Sequence, residues 1–180
     1  MKKIITLLMV GLLLFGGSGA VFAQEAEMFE EMPLVQEEGD SGIKYEALKE
    51  FQDEFHQLNQ LHIEHLQLKE EIVAKHDSII DLYIEARENG DKEALNATRE
   101  VRKELNAVNQ EIRGLADQLK AESQSFREDA KNEDFEAAEE HMMNRISIAE
   151  SIIDLQQEKI DLLESIIEIL SVSGEAVLEM

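Results

Sequence analysis

From residue 34 to its last residue the chain contains no proline, and across three long stretches of that interval apolar residues return every three or four positions. Little besides long helices can satisfy both conditions. The middle stretch is the plainest: Val101, Leu105, Val108, Ile112, Leu115 and Leu119 are spaced 4,3,4,3,4, and Glu122 then takes the place of an apolar residue before Phe126. The first stretch carries Leu48, Phe51, Phe55, Leu58, Leu61, His65, Leu68, Ile72, His76, Ile79 and Leu82, with one register shift near Leu58 to Leu61. The third has two stripes. Ile146, Ala149, Ile153, Ile160, Leu163, Ile167 and Leu170 form one, and Ile148, Ile152, Leu155, Leu162, Ile166 and Ile169 form another about 110° further round. Acidic residues interrupt this stretch at Glu150, Asp154, Glu158, Asp161, Glu164 and Glu168, which argues against a membrane span.

Composition narrows the function classes. The 180 residues include 40 acidic and 17 basic side chains, for a formal charge of -23, and no cysteine. Disulfide frameworks and thiolate chemistry are excluded. Nucleic acid is not an expected partner, because no cluster of Lys and Arg offsets the repulsion of phosphates.

The amino terminus reads as an export signal. Lys2 and Lys3 precede an apolar run from Ile4 to Phe15, and small residues lead to Val21-Phe22-Ala23, so cleavage is expected after Ala23. The apolar run is too short to span a bilayer, so no stable membrane anchor is expected after cleavage. Loss of the two lysines takes the charge to 15 - 40 = -25. The signal looks bacterial, and the expected destination is the periplasm, the cell envelope or the medium. Residues 24–42 hold seven acids, no base and the only proline, and are expected to form a disordered acidic linker. Gly39-Asp40-Ser41-Gly42 matches the nucleophile loop of chymotrypsin-like serine proteases in four letters only, without the β-barrel and the placed His and Asp that give it chemistry.

The expected fold is all-α: an elongated antiparallel three-helix bundle, coiled-coil-like, over 43–173, with helices near 43–88, 91–129 and 133–173 and a tail over 174–180. Asp91 and Asp134 suit the N-caps of the second and third helices, and Gly90 suits the stop of the first. Folding about Gly90 pairs residues whose numbers sum to about 180, such as Phe55 with Phe126. Folding again about Lys131 pairs sums of 261, such as Leu119 with Met142. Tyr45, Phe51, Phe55, Phe126 and Phe135 then converge on one end.

The same register yields two candidate sites. His62, His65, Glu122 and His141 fall within about one and a half turns of one level, where imidazoles and a carboxylate could hold a divalent transition metal or respond to pH. Against a metal stand the missing Glu-x-x-His spacing and the simpler pairing of Glu122 with one histidine. No other cofactor is expected. The second candidate is the surplus stripe of the third helix, Ile148, Ile152, Leu155, Leu162, Ile166 and Ile169, which either buries against both other helices or serves a protein partner or self-association. No nucleophile with a base, phosphate-cradling loop or calcium loop occurs, so the expected function is non-enzymatic protein contact, as scaffold, adaptor or chaperone-like holdase. The alternative is an extracytoplasmic metal- or pH-sensing bundle.

Overall fold

The computed structural model describes residues 45–178, with side chains through Val172. The signal expected over 1–23 and the linker expected over 24–42 lie outside the described residues. Among the described residues the chain is all-helical, with four helices packed together: α1 (Tyr45–Glu50), α2 (Gln52–Glu88), α3 (Lys92–Asn132) and α4 (Phe135–Leu178). The three long helices have 37, 41 and 44 residues, which at 1.5 Å per residue makes rods about 55 to 66 Å long.

The two turns between the long helices share one geometry. Asp91 N–H donates to the Ala86 carbonyl (2.9 Å) and Asp134 N–H to that of Asp129 (3.0 Å), each six-residue closure passing through one left-handed residue. That residue is Gly90 (φ 71°) in the first turn and Glu133 (φ 64°) in the second. The helices then restart on the expected caps: Asp91 Oδ1 accepts from Ala94 N–H at 2.9 Å, and Asp134 Oδ1 from Ala137 N–H at 3.3 Å. A left-handed glutamate carries a Cβ penalty that glycine lacks, so Glu133→Gly should raise unfolding free energy by roughly 0.5–1 kcal/mol in urea titrations. Gly90→Ala should lower it by about 1 kcal/mol; a Cβ there meets nothing within 4 Å, so the cost is one of backbone alone.

Three clusters make the core. At the α1 end, Ala47, Phe51, Phe55 and Leu58 pack with Phe126 and Ala130 of α3 and with Ala138, Met142, Ile146 and Ala149 of α4. At the Gly90 end, Ile72, Ile79 and Ala86 of α2 meet Ala94, Leu105, Ile160, Leu163, Ile166 and Leu170. Between them Val108, Ile112 and Leu119 pack on Ile152, with no member from α2. Accordingly α4 runs along both α2 and α3, while α2 and α3 approach each other closely at few positions.

The aromatic end forms largely as expected, with ring centroids of Phe51 and Phe55 at 5.3 and 5.8 Å from Phe126, edge to face, and Phe51 at 6.2 Å from Phe135. Tyr45 does not join it and is 69% exposed. The first helix, expected without interruption, is divided at Phe51, whose dihedrals (φ -104°, ψ 29°) depart from helical values between α1 and α2, although Phe51 N–H still donates to the Ala47 carbonyl and Phe55 N–H to that of Phe51, each at 3.0 Å.

The register between the first and last long helices differs from expectation. Sums of 180 and 261 imply that α2 residues lie level with α4 residues 81 further on (261 - 180). Hydrogen bonds instead join Gln57 to Glu150, His65 to Gln156 and Lys75 to Glu164, separations of 93, 91 and 89. The shift of about ten residues amounts to roughly 15 Å along the axis. Its cause is the packing order: α2 rests on α4 directly, so its level is set by that contact and not relayed through α3 as straight, untilted rods would require.

Candidate functional site

Two separate polar layers result from this register, where the sequence places one. On α4, His141 sits against α3: its Nδ1 is 2.6 Å from Glu122 Oε2 and its Nε2 is 3.4 Å from Asp129 Oδ2. Asn144 Nδ2 donates to the same Glu122 oxygen at 3.3 Å. The hydrogen bond to Glu122 raises the His141 pKa above that of a free imidazole, and the charges of Glu122, Asp129 and Glu140 add to it against a smaller cost of burial. The charged imidazolium has two N–H donors, one for each carboxylate.

The second layer lies in the α2–α4 contact. His65 is buried, and its Nδ1 is 3.0 Å from Gln156 Oε1. Burial pushes the His65 pKa down to about 4, helped by the charges of Lys69 and His62 and opposed by the Gln156 hydrogen bond. The His62 ring stacks nearly parallel to that of His65 at 6.4 Å between centroids. Eleven residues, or about three turns, further along α2, burial and the charge of Lys159 bring His76 down to about 4 as well. Lys159 itself is 1% exposed.

Glu122 and His141 therefore meet, but His62 and His65 do not join them. Gln156, the partner of His65, lies fifteen residues beyond His141 on α4, about 22 Å along the axis. The single layer of four residues expected from sequence is corrected to two, for the register reason given above. The two carboxylates that face His141 approach opposite ring nitrogens, so one ion could not take both. No group of three or more His, Cys, Asp or Glu residues is placed to hold a metal among the described residues.

The surplus stripe of α4 lies largely within the fold. Ile152 belongs to the middle cluster, with Ile148, Leu155 and Leu162 packed against it, and Ile166 belongs to the cluster at the Gly90 end. Ile169 is partly buried. What bears on a free apolar surface is instead on α2. Ile63, Leu66, Val73, Ile80 and Ile84 are 41–54% exposed and lie outside the core stripe of the same helix; Leu66, Val73 and Ile80 stand about 100° round from the core residues His65, Ile72 and Ile79, and Ile63 and Ile84 stand further round. With Glu70 and Asp77 they occupy positions 63, 66, 70, 73, 77, 80 and 84, a 3,4,3,4,3,4 seam. The 3,4 spacing of this seam is legible in the sequence, but the core stripe of the same helix is fuller and two acids interrupt the outer one.

No helix among the described residues is long and apolar enough to cross a membrane. Comparison with protein families, with curated proteins and with solved structures gives no match.

Proposed function

We propose that this is an exported, non-enzymatic helical protein that works by protein–protein contact, as a scaffold, adaptor or holdase. In this reading the signal peptide is cleaved after Ala23 and the acidic segment over 24–42 is a tether that leads into the folded part. Helices α1 and α2 count as one interrupted arm, so the folded part is an elongated three-helix bundle. The contact surface is the outward seam of α2, in place of the α4 stripe.

One observation carries the proposal. Five large apolar side chains stand aligned on a face of α2 outside its core stripe, each about half exposed. Isolated exposed apolar residues are ordinary on a surface, but an aligned row at seam spacing matches what helical partners recognise. The acid-rich remainder of the surface supplies solubility to a protein that keeps such a row open.

The test is suppression of aggregation of a chemically unfolded client, followed by light scattering. The unaltered chain should slow the rise in scattering, and Leu66→Ser/Val73→Ser should abolish most of that effect. A chain that stays monomeric, leaves the client unaffected and behaves the same with and without the seam would sink the proposal.

A further inference from the structure

We propose that the seam of α2 docks a cationic amphipathic helix, an inference that rests on the protein-contact reading above and adds the chemistry of the partner. From Ile63 to Ile84 the seam advances 21 residues, or about 32 Å, which matches a partner helix of three heptads. Its apolar members are Ile63, Leu66, Val73, Ile80 and Ile84, all exposed. The two remaining seam positions within that span are Glu70 and Asp77, both exposed and both acidic.

Charge decides what can lie on this face. Residues 63–88 contain seven acids, Glu64, Glu70, Glu71, Asp77, Asp81, Glu85 and Glu88, against three bases. Two of those bases are engaged locally: Lys75 Nζ lies 2.7 Å from Glu164 and 3.3 Å from Glu71, and the Arg87 guanidinium lies over the Tyr83 ring at 5.4 Å. A partner helix with leucine-like residues at its own seam and Lys or Arg opposite Glu70 and Asp77 buries the apolar row and neutralises both seam carboxylates. A neutral partner would have to desolvate those carboxylates with nothing to pair them.

The other occupants are disfavoured by the same charge. A second copy in parallel register sets Glu70 on Glu70 and Asp77 on Asp77. Reversed about the seam midpoint, it faces Ile63 with Ile84 but Glu70 with Asp77. Each copy also brings a formal charge of -23. The chain's own segment 24–42 offers Phe29, Met32, Leu34 and Val35, but with seven acids and no base.

The experiment titrates the full chain into a labelled three-heptad peptide with leucine seam positions and lysines elsewhere, and into the same peptide with glutamine for every lysine, by fluorescence anisotropy. The lysine peptide should bind about tenfold or more tightly than the glutamine peptide and weaken about tenfold between 50 mM and 500 mM salt. Glu70→Gln/Asp77→Asn and Leu66→Ser/Val73→Ser should each weaken it by about tenfold, with circular dichroism unchanged. Asp154→Asn/Glu158→Gln, which removes two exposed α4 acids off the seam, should leave it unaltered.

Equal binding of both peptides, if lost with the serine pair, overturns the cationic partner while leaving the protein-contact reading intact. Equal weakening by the α4 pair reduces the binding to general charge attraction and overturns the docking site. A dimer dissolved by Val73→Ser, or a photocrosslink from position 73 into residues 24–42, would give the seam to a second copy or to the chain itself. Absence of binding by either peptide, together with unaltered client suppression by the serine pair, would end both readings.

Discussion

Acidification from pH 7 to pH 4 should destabilise this protein more than any other mild change of solution. His65 and His76 are held neutral in the fold, with pKa values brought down to about 4 by burial, whereas the unfolded chain takes up protons near 6.5. Between those values the unfolded state binds more protons, so stability falls as pH falls and levels off below about 4. A full shift from 6.5 to about 4 corresponds to roughly 3 kcal/mol per imidazole as an upper value. The groups that face these rings reinforce the effect: Lys69 and His62 beside His65, and Lys159 beside His76, all oppose a further positive charge.

His141 acts in the other direction and in another window. Its pKa is raised in the fold, so its contribution is fully present below 6.5 and is lost as pH rises through the folded value. It therefore does not oppose the loss between 6.5 and 4. Urea midpoints at pH 7, 5.5 and 4 should fall step by step, and His65→Gln/His76→Gln should flatten the profile. An unaltered chain with equal midpoints at all three values would show that these imidazoles are not held neutral.

The largest effect from a single side chain is expected at Phe126. Its ring is fully buried, meets Phe51 and Phe55 edge to face, and lies 5.3 Å from the Arg145 guanidinium. Truncation removes the transfer energy of a phenyl ring and leaves a cavity where elements from three helices converge, a loss of about 3–5 kcal/mol. It also takes the ring away from Arg145, whose pKa burial already brings down to about 10. Phe126→Ala should lower the melting temperature by roughly 10 °C or more, and Phe135→Ala, at the partly buried rim of the same cluster, by much less. Equal small losses from both would mean that the aromatic end contributes little to holding the helices together.

The sequence made the all-helical class legible because the proline-free interval and the 3,4 spacing of Val101 to Phe126 are local properties. The caps at Asp91 and Asp134 were legible for the same reason, since a carboxylate three residues before a free N–H needs no knowledge of tertiary packing. The Phe55–Phe126 pair followed from a single turn. The level of α2 against α4 did not. Two turns separate these helices, and their parallel contact obeys no loop, so His65 met Gln156 and not the layer of His141. The irregular dihedrals at Phe51 have neither glycine nor proline to announce them, and the helical hydrogen bonds that continue through Phe51 leave no mark of them in the spacing of apolar residues.

A contact surface on α2 requires its seam to be apolar for a purpose other than folding. The most direct measurement is the urea unfolding midpoint of Leu66→Ser/Val73→Ser/Ile80→Ser beside that of Ile152→Ser, whose side chain is fully buried between α3 and α4. The triple variant should lose less than Ile152→Ser alone does and keep the unfolding slope of the unaltered chain, because its three side chains are half exposed and belong to no core cluster. Ile152→Ser should lose about 3 kcal/mol or more. A triple variant that loses as much as Ile152→Ser would show that the seam belongs to the fold, and would contradict its role as a surface held open for a partner.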